Sequence, residues 1–387
     1  MDKKITSAFL LGFMGDIIGF GNGINEFNNS NRFSQDNFGD KFEQIGADYS
    51  NELVFNFMYE GGFKTHPKPS WTVSDDSIML EANTKALIEW VQVSKDKEKS
   101  DIDLLINIIK KEYIELIKDR LELEKFERVY KGGLTTINYL KKLKSGNDYK
   151  EFSYDDKAGG SGGSMRSAII GVVFYKKSNL LKLIEVAIES TCLTHPNAIA
   201  FLGSIMVALF ASYAVAGIEP VRWCVDAMEV LESDIIDNYI KSKKESYEIF
   251  YIRDKKIFIN KWKEYIEDRF DEYDFTYKKS MVMKYPSKRT LYYNKFSARK
   301  KDIYPGAGGD DSVIIAYDCL IDSEGSWDKI VYYSMLHVGD SDTTGIICGF
   351  LYGLYYGIET VYNSMLINMI DHKEEAYSLS KKILSIL

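Results

Sequence analysis

Apolar residues recur three or four positions apart along most of this sequence of 387 residues, of which only 6 are proline. In the stretch 104–117, for example, Leu104 and Ile108 alternate with charged residues, as on the two faces of an amphipathic helix. The best candidate for a strand, 255–262, has only a weak two-residue alternation. The spacing therefore predicts an all-α protein, which we expect to be one compact domain over residues 1–387.

The longest apolar stretch, residues 204–218, is too short to span a bilayer and predicts a buried core helix. Pro196 is expected to separate this helix from the preceding one, because proline cannot donate a helical hydrogen bond. The apolar N-terminal stretch is interrupted by Asp16 and lacks a small-residue cleavage site, which argues against a signal peptide. We therefore expect a soluble protein with no membrane partner.

Glycines occupy every fourth position of the last strongly apolar stretch, at Gly345, Gly349, Gly353 and Gly357. Residues four apart share one face of a helix. Each glycine inside a helix costs about 1 kcal/mol relative to alanine, so a row of them needs a structural reason. The row predicts that another helix packs closely against this face.

Charge and cysteine content narrow the possible partners and the compartment. The net charge of −8 argues against a general nucleic-acid-binding surface, which usually carries excess positive charge. The 4 cysteines are far apart and form no CxxC pair, so we expect reduced thiols and a cytoplasmic location rather than disulfides or a zinc site. We expect a monomer, although the sequence itself does not determine the oligomeric state.

Two distant stretches each place carboxylates and a hydroxyl at the start of an apolar helix. They contribute Ser74, Asp75 and Asp76 from "VSDDSIML" (73–80), and Asp340, Asp342 and Thr343 from "HVGDSDTTGIICG" (337–349). Either stretch alone is typical of a helix N-terminus, where such side chains cap free N–H groups. Together their oxygen atoms suit a hard cation such as Mg²⁺, and two carboxylates in each stretch could serve a pair of ions.

A third stretch, "KAGGSGGSMRSAIIG" (157–171), is rich in glycine and serine ahead of a helix that we expect to begin near Met165. Its small residues are Gly159, Gly160, Ser161, Gly162, Gly163 and Ser164. Exposed backbone N–H groups at a helix N-terminus can hold a phosphate. The stretch matches neither a Walker motif nor GxGxxG, and a flexible turn fits the spacing equally well.

These stretches, with others in the same order, resemble the ADP-ribosylglycohydrolase family, most closely its ADP-ribosylarginine hydrolase branch. The resemblance is carried by "GDIIGFGNGINEF" (15–27), "VSDDSIML" (73–80), "GGSGGSMRSAIIG" (159–171), "IESTCLTHPNAIAFLGSIMVALFASYAV" (188–215), "SVIIAYDCL" (312–320) and "HVGDSDTTGIICGFLYGLYYG" (337–357). It covers nearly the whole chain, with looser matches in 92–128 and 233–305.

The resemblance implies an all-α fold that holds two Mg²⁺ ions in a cleft, with the polar side chains of the two acidic stretches as ligands. Glu26 would lie on a mobile segment nearby, where it binds an ion or gates the site. The glycine-rich stretch would hold the diphosphate and the adjacent ribose, and His195 would touch a phosphate or fix this loop. Tyr304 would stack on the adenine, and Asp16 would either be catalytic or cap a helix.

The implied activity is Mg²⁺-dependent hydrolysis of the N-glycosidic bond between ADP-ribose and arginine side chains of proteins, with release of ADP-ribose. The transition state is oxocarbenium-like. Asp75 or Asp76 would be the base that activates water, with Glu26 as a further catalytic residue. The partners would be ADP-ribosylated proteins and ADP-ribose itself. The alternatives are a hydrolase of ADP-ribosylserine or O-acyl-ADP-ribose, or a non-catalytic relative that binds ADP-ribose. The intact acidic stretches favour an enzyme.

Two further charged residues remain open to more than one interpretation. Arg166 follows the glycine-rich stretch, where it could clamp a phosphate or pair with an acid. Asp318 could face the cleft or take part in buried hydrogen bonding.

Overall fold

The computed structural model describes residues 2–27, 42–94, 101–271, 275–278, 286–297, 305–359, 361 and 364–387. These residues form 17 α-helices and no β-strand, which confirms the predicted all-α fold. The helices are α1 (Asp2–Phe20), α2 (Phe42–Tyr59), α3 (Asp75–Ser94), α4 (Ile102–Glu115), α5 (Arg120–Arg128), α6 (Leu134–Lys144), α7 (Ala168–Val173), α8 (Leu180–Cys192), α9 (Ala198–Ala216), α10 (Pro220–Glu232), α11 (Asp234–Lys243), α12 (Glu248–Arg269), α13 (Pro286–Phe296), α14 (Asp311–Ser323), α15 (Trp327–Ile330), α16 (Ser341–Tyr355) and α17 (Lys373–Leu384). One cluster of buried apolar side chains extends from Ile5 to Ile383. The single-domain assignment stays a prediction.

Helix α9 lies at the centre of this core, as the apolar stretch 204–218 predicts. Its side chains are buried on almost every face, because α7, α8, α10, α12, α14 and α16 all pack against it. The Asn197 side chain accepts the N–H of Ile199 and starts the helix, and Pro196 lies between α8 and α9 as expected.

Within the described residues, two segments, Asp2–Gly23 and Ala198–Ala216, are long and apolar enough to cross a membrane. In the structure, 89% and 83% of the residues in their most apolar windows are buried. Burial of this extent is typical of core helices, in which every face meets other parts of the protein.

Helices α1 and α16 pack backbone against backbone along the predicted row of glycines. A Cβ atom added at Gly345 would lie 2.4 Å from the carbonyl oxygen of Gly15, and one at Gly349 would lie 2.2 Å from that of Leu11. No larger side chain fits at these distances, which confirms the predicted close approach. For Gly357 the prediction is wrong, because α16 ends at Tyr355 and this glycine follows it with a φ of +82°.

The weak strand candidate 255–262 is helical, as the all-α prediction requires, since these residues lie inside α12. The buried residues of this helix are Tyr251, Asp254, Phe258, Trp262, Tyr265 and Arg269. They are three or four positions apart and therefore occupy one helical face.

Asp318 takes part in buried hydrogen bonding, which decides between the two interpretations left open by the sequence. Its carboxylate on α14 accepts from Arg269 Nε on α12 and from Arg289 Nη1 on α13, each at 2.9 Å. Burial alone would raise the pKa of Asp318, but the two guanidinium groups hold it below its usual value. This network joins α12, α13 and α14.

Candidate active site

Asp16 on α1 organises the start of α3, where the first acidic stretch lies. Its fully buried carboxylate accepts the backbone N–H groups of Ser74 and Ser77 at 3.1 and 3.2 Å. Burial raises the pKa of Asp16 to about 6, while these donors act in the opposite direction. Of the two roles considered for Asp16, the structure shows helix capping. Asp75 and Asp76 then fall in the first turn of α3.

The second acidic stretch is fixed to the end of α1 and reaches the first one directly. Ser341 Oγ donates to the carbonyl oxygen of Gly19 at 2.8 Å. Thr343 Oγ1 on α16 donates to Asp76 Oδ1 on α3, also at 2.8 Å. The structure thus brings together two stretches that are 267 residues apart at this pair.

Glu26, which follows the end of α1, forms an acidic cluster with Asp340 and Asp342 at the start of α16. Carboxylate oxygens of Glu26, Asp340 and Asp342 all lie within 4.8 Å of one another. The Glu26 segment is held in place by the N–H of Phe27, which donates to the carbonyl oxygen of Gly339 at 3.1 Å. Three carboxylates at this separation repel one another unless protons or cations offset their charge.

The raised pKa values of the acids in and beside this cluster favour a bound cation. Burial raises the pKa of Asp75 to about 7. Burial also raises the pKa of Asp342 and of Asp76 well above the usual range, and the charge of a neighbouring carboxylate adds to the effect in both. Carboxylate and hydroxyl oxygens in excess of nearby cations are the donor set that hard divalent ions prefer. Asp340 and Asp342, two of the predicted ligands, therefore fit a metal ion together with Glu26 in chemistry and arrangement.

A pocket of about 1000 Å³ opens beside this cluster. Glu26, Asp75, Asp76, Asp340 and Thr343 line its acidic part. Asp342 and Ser74 are not among the lining residues. The Ser74 hydroxyl accepts the N–H of Asp76 at 3.1 Å, as an N-cap residue does.

The glycine-rich stretch forms another part of the same pocket, through Gly159, Gly160, Ser161 and Gly162. Ser161 Oγ donates to Asp340 Oδ2 at 3.0 Å, so the stretch is joined directly to the acidic cluster.

The remaining small residues of the stretch have packing roles behind the pocket. A Cβ atom at Gly163 would lie 2.6 Å from Thr191 Cγ2, and Ser164 Oγ donates to the carbonyl oxygen of Gly309 at 3.4 Å. Neither Gly163 nor Ser164 is among the lining residues.

The expected helix from Met165 is wrong. Ser161–Arg166 forms a 3₁₀ helix, and α7 begins only at Ala168. The physical reason lies in Gly162, where a Cβ atom would come within 2.4 Å of His195 Cε1. Glycine is needed for this contact, and it also weakens α-helix formation. His195 lines the pocket beside the stretch, whereas Tyr304 lies outside the described residues.

A loop that the sequence reasoning missed, Tyr130–Gly133, contacts Asp75. The carbonyl oxygen of Tyr130 accepts the N–H of Asp75 at 2.9 Å, and the N–H of Gly133 donates to Asp75 Oδ2 at 3.3 Å. Lys131 adopts a φ of +57°, which is rare for a residue other than glycine, and it lines the pocket. The paired glycines after Lys131 were the available sequence signal.

Comparisons with known proteins agree with the fold and identify the family. The family model described as ADP-ribosylglycohydrolase matches residues 1–386. A Dictyostelium discoideum protein, ADP-ribosylhydrolase ARH1, is 30% identical over 406 residues, which cover 98% of this chain and 93% of that protein. The chain therefore belongs to the ADP-ribosylglycohydrolase family.

Two further similarities support the same family and fold. A protein of Acanthamoeba polyphaga mimivirus, provisionally named ADP-ribosyl glycohydrolase L444, is 33% identical over 88% of this chain. The match spans only 62% of that relative. A solved structure titled ADP-ribosylglycohydrolase-related protein complex superposes over 100% of this chain and 98% of its own, with a TM-score of 0.55 and 14% identity. At this identity, the similarity concerns the fold alone.

Proposed function

We propose that this protein is a Mg²⁺-dependent hydrolase that removes ADP-ribose from arginine side chains of modified proteins. The observation that carries the proposal is one pocket that combines a buried acidic cluster with a glycine-rich backbone segment. The acidic part suits divalent cations, and the backbone part suits a diphosphate. The relative named ADP-ribosylhydrolase ARH1 supports ADP-ribose as the group recognised.

The residues that would hold two Mg²⁺ ions are those of the two acidic stretches, Ser74, Asp75, Asp76, Asp340, Asp342 and Thr343. Glu26 is close enough to two of these carboxylates to share an ion with them. Bound divalent ions supply Lewis-acid polarisation and make bound water more acidic.

Asp75 is well suited to accept a proton from water. The N–H of Gly133 holds one of its oxygens, and Asp75 lines the pocket. Asp76 is the other candidate for the base. The bond that breaks joins the anomeric carbon of the ribose to a guanidine nitrogen, through an oxocarbenium-like transition state.

The assay that tests this proposal compares two peptides that differ only in the linked residue, ADP-ribosylarginine or ADP-ribosylserine. We expect Mg²⁺-dependent release of ADP-ribose from the arginine peptide and much slower release from the serine peptide. Faster release from the serine peptide, or from O-acyl-ADP-ribose, would assign the protein to another linkage. Tight ADP-ribose binding without turnover of any substrate would make it a binding protein.

We also propose that the protein works in the cytoplasm. All four cysteines, Cys192, Cys224, Cys319 and Cys348, are buried free thiols. Free thiols are the usual state in a reducing compartment.

A further inference from the structure

Arg166 is buried next to the pocket. Among the described residues it forms no direct ion pair, although its charge acts on Asp75 and lowers the pKa of that carboxyl, against the larger effect of burial. Its side chain is only 1% exposed and is not among the residues that line the pocket. Its guanidinium packs over the ring of Tyr113, 5.0 Å from the ring centre. Its Nη2 donates to the carbonyl oxygen of Ser190 at 3.2 Å and to Thr194 Oγ1 at 2.7 Å. Arg166 is therefore a buried donor rather than a direct phosphate clamp.

The contact with Thr194 continues to His195. Thr194 Oγ1 lies 2.8 Å from His195 Nδ1, and both side chains are almost completely buried. The backbone fixes the same region, because the N–H of His195 donates to the carbonyl oxygen of Thr191 at 2.8 Å. Arg166, Thr194 and His195 thus form a continuous chain of hydrogen bonds that ends at the pocket wall.

The direction of these bonds follows from the chemistry of the three side chains. A guanidinium has only donors, so Thr194 Oγ1 must accept from Arg166. Among the described residues, the other hydrogen-bond partner of Thr194 Oγ1 is His195 Nδ1, so the buried hydroxyl proton has this nitrogen as its acceptor. A ring nitrogen that accepts is unprotonated, so a neutral His195 carries its proton on Nε2. Burial lowers the pKa of His195 to about 3, and the charge of Arg166 adds to this effect, so the ring is neutral at physiological pH.

His195 Nε2 lies beside the glycine-rich backbone. A Cβ atom added at Gly160 would be 3.6 Å from Nε2, and one added at Gly162 would be 2.9 Å from it. Both glycines and His195 line the pocket. An Nε2–H donor here complements the backbone N–H groups as a partner for a phosphate oxygen, without placing a full positive charge in the site.

We propose that Arg166 is a positioning residue that acts through Thr194 to hold His195 as the neutral Nε2–H tautomer, ready to donate to a diphosphate oxygen of ADP-ribose. The identity of the ligand rests on the proposed function. The assignment of the His195 tautomer does not rest on the proposed function, because the tautomer is set by contacts within the protein.

The first test is nitrogen-15 NMR of the histidine rings in the full-length, ligand-free protein. The chain has 4 histidines, so a His195→Gln variant assigns the signal. We expect His195 to show a protonated Nε2 and an unprotonated Nδ1 throughout the neutral pH range. A cationic ring, or a proton on Nδ1, would overturn the proposal.

The second test removes the Thr194 hydroxyl, which connects Arg166 to His195. Thr194→Val keeps the shape of the side chain but loses the hydroxyl, so the preference for Nε2–H should be lost. The Kd for ADP-ribose, measured by calorimetry, should rise about tenfold, a change typical of the loss of one hydrogen bond. Thr191→Val is the matched control, because the buried Thr191 hydroxyl has no hydrogen-bond partner among the described residues. This control should leave the His195 signals unchanged.

Arg166→Met tests the first of these three residues and should also weaken the preference for Nε2–H. Without the guanidinium, the Thr194 hydroxyl can turn its proton away from Nδ1 and accept from this nitrogen instead. Unchanged ring signals in this variant, with its fold verified by circular dichroism, would exclude the role of Arg166. If Arg166→Met does not fold, Thr194→Val tests the proposal. Unchanged His195 ring signals in Thr194→Val would contradict the proposed role of the Thr194 hydrogen bond. Failure of the unaltered protein to bind ADP-ribose would instead contradict the proposed function.

Discussion

Thr343 on α16 donates its hydroxyl to the carboxylate of Asp76 on α3 at 2.8 Å. This bond joins the first turns of two helices whose sequences lie near opposite ends of the chain. Each turn also carries a buried carboxylate whose pKa is raised by burial, Asp75 in one and Asp342 in the other. The arrangement explains why acids that would be ordinary helix caps on their own act here as one cluster.

Asp342→Asn should abolish most activity while preserving the fold. The change keeps the volume but removes a charge from the site that we propose holds Mg²⁺. Turnover of ADP-ribosylarginine should fall by at least ~100-fold, since even outer-shell partners of a metal can cost that much. The metal-free protein should melt at the same or a higher temperature, because carboxylate repulsion is relieved.

The matched control for Asp342→Asn is Asp226→Asn, which changes an acid that pairs with Arg222 on the surface of α10. This control should behave like the unaltered protein. If Asp342→Asn keeps a normal rate and a normal Mg²⁺-induced rise in Tm, Asp342 is only a helix-cap residue, because asparagine caps about as well as aspartate.

Gly162→Val should weaken ADP-ribose binding with little effect on Mg²⁺ affinity. Its side chain would collide with the His195 ring, which a Cβ atom already approaches to 2.4 Å. We expect the Kd for ADP-ribose to rise about tenfold or more, equivalent to a loss of ~1.4 kcal/mol. Calorimetry with ADP-ribose and with Mg²⁺ on the same sample measures both. An unchanged ADP-ribose affinity would make the stretch a simple turn.

The stabilising effect of Mg²⁺ should increase between about pH 5 and pH 8. Burial raises the pKa of Asp75 to about 7 from an ordinary value of about 4, so in this interval the folded protein binds more protons than the unfolded chain. The metal-free protein therefore loses stability as the pH rises through this range. Mg²⁺ competes with those protons, and Tm with and without Mg²⁺ should diverge towards higher pH. A constant difference in Tm would show that the carboxylates do not bind the ion.

Gly349→Ala should destabilise the protein by about 1–3 kcal/mol, because extra atoms in a filled interior force the backbone to move. The new Cβ atom would lie 2.2 Å from the carbonyl oxygen of Leu11, which is part of a helix backbone and cannot turn aside. Gly12→Ala is the comparison, since its Cβ atom meets the side chain of Phe350 at 3.2 Å. Urea denaturation should show the smaller loss for Gly12→Ala. Equal losses would mean that the distance to the backbone does not set the cost.

The local sequence pattern was sufficient to predict features that depend on residues close together in the sequence. Helical spacing predicted the buried helix around 204–218, and the glycine row predicted the contact between α1 and α16. The two acidic stretches were recognisable because each carries its polar residues at a helix start. The prediction that the two stretches form one site came from the resemblance to a family. No local sequence rule predicts that Asp76 contacts Thr343.

Distant contacts decide the features that the sequence reasoning missed. The glycine-rich stretch forms a 3₁₀ helix because His195 and Thr191 pack against Gly162 and Gly163. Arg166 finds its partner Thr194 on a different element, 28 positions further along the chain. The Tyr130–Gly133 loop acquires its role only through Asp75. In each case the partner is far away in sequence, so local spacing does not identify it.

The most direct test of this account is the release of ADP-ribose from an ADP-ribosylarginine peptide after complete removal of metal and again after addition of Mg²⁺. The account predicts no turnover by the metal-free protein and full recovery with Mg²⁺. Full turnover by a sample whose metal removal has been verified would contradict the proposal that the acidic cluster works through bound Mg²⁺.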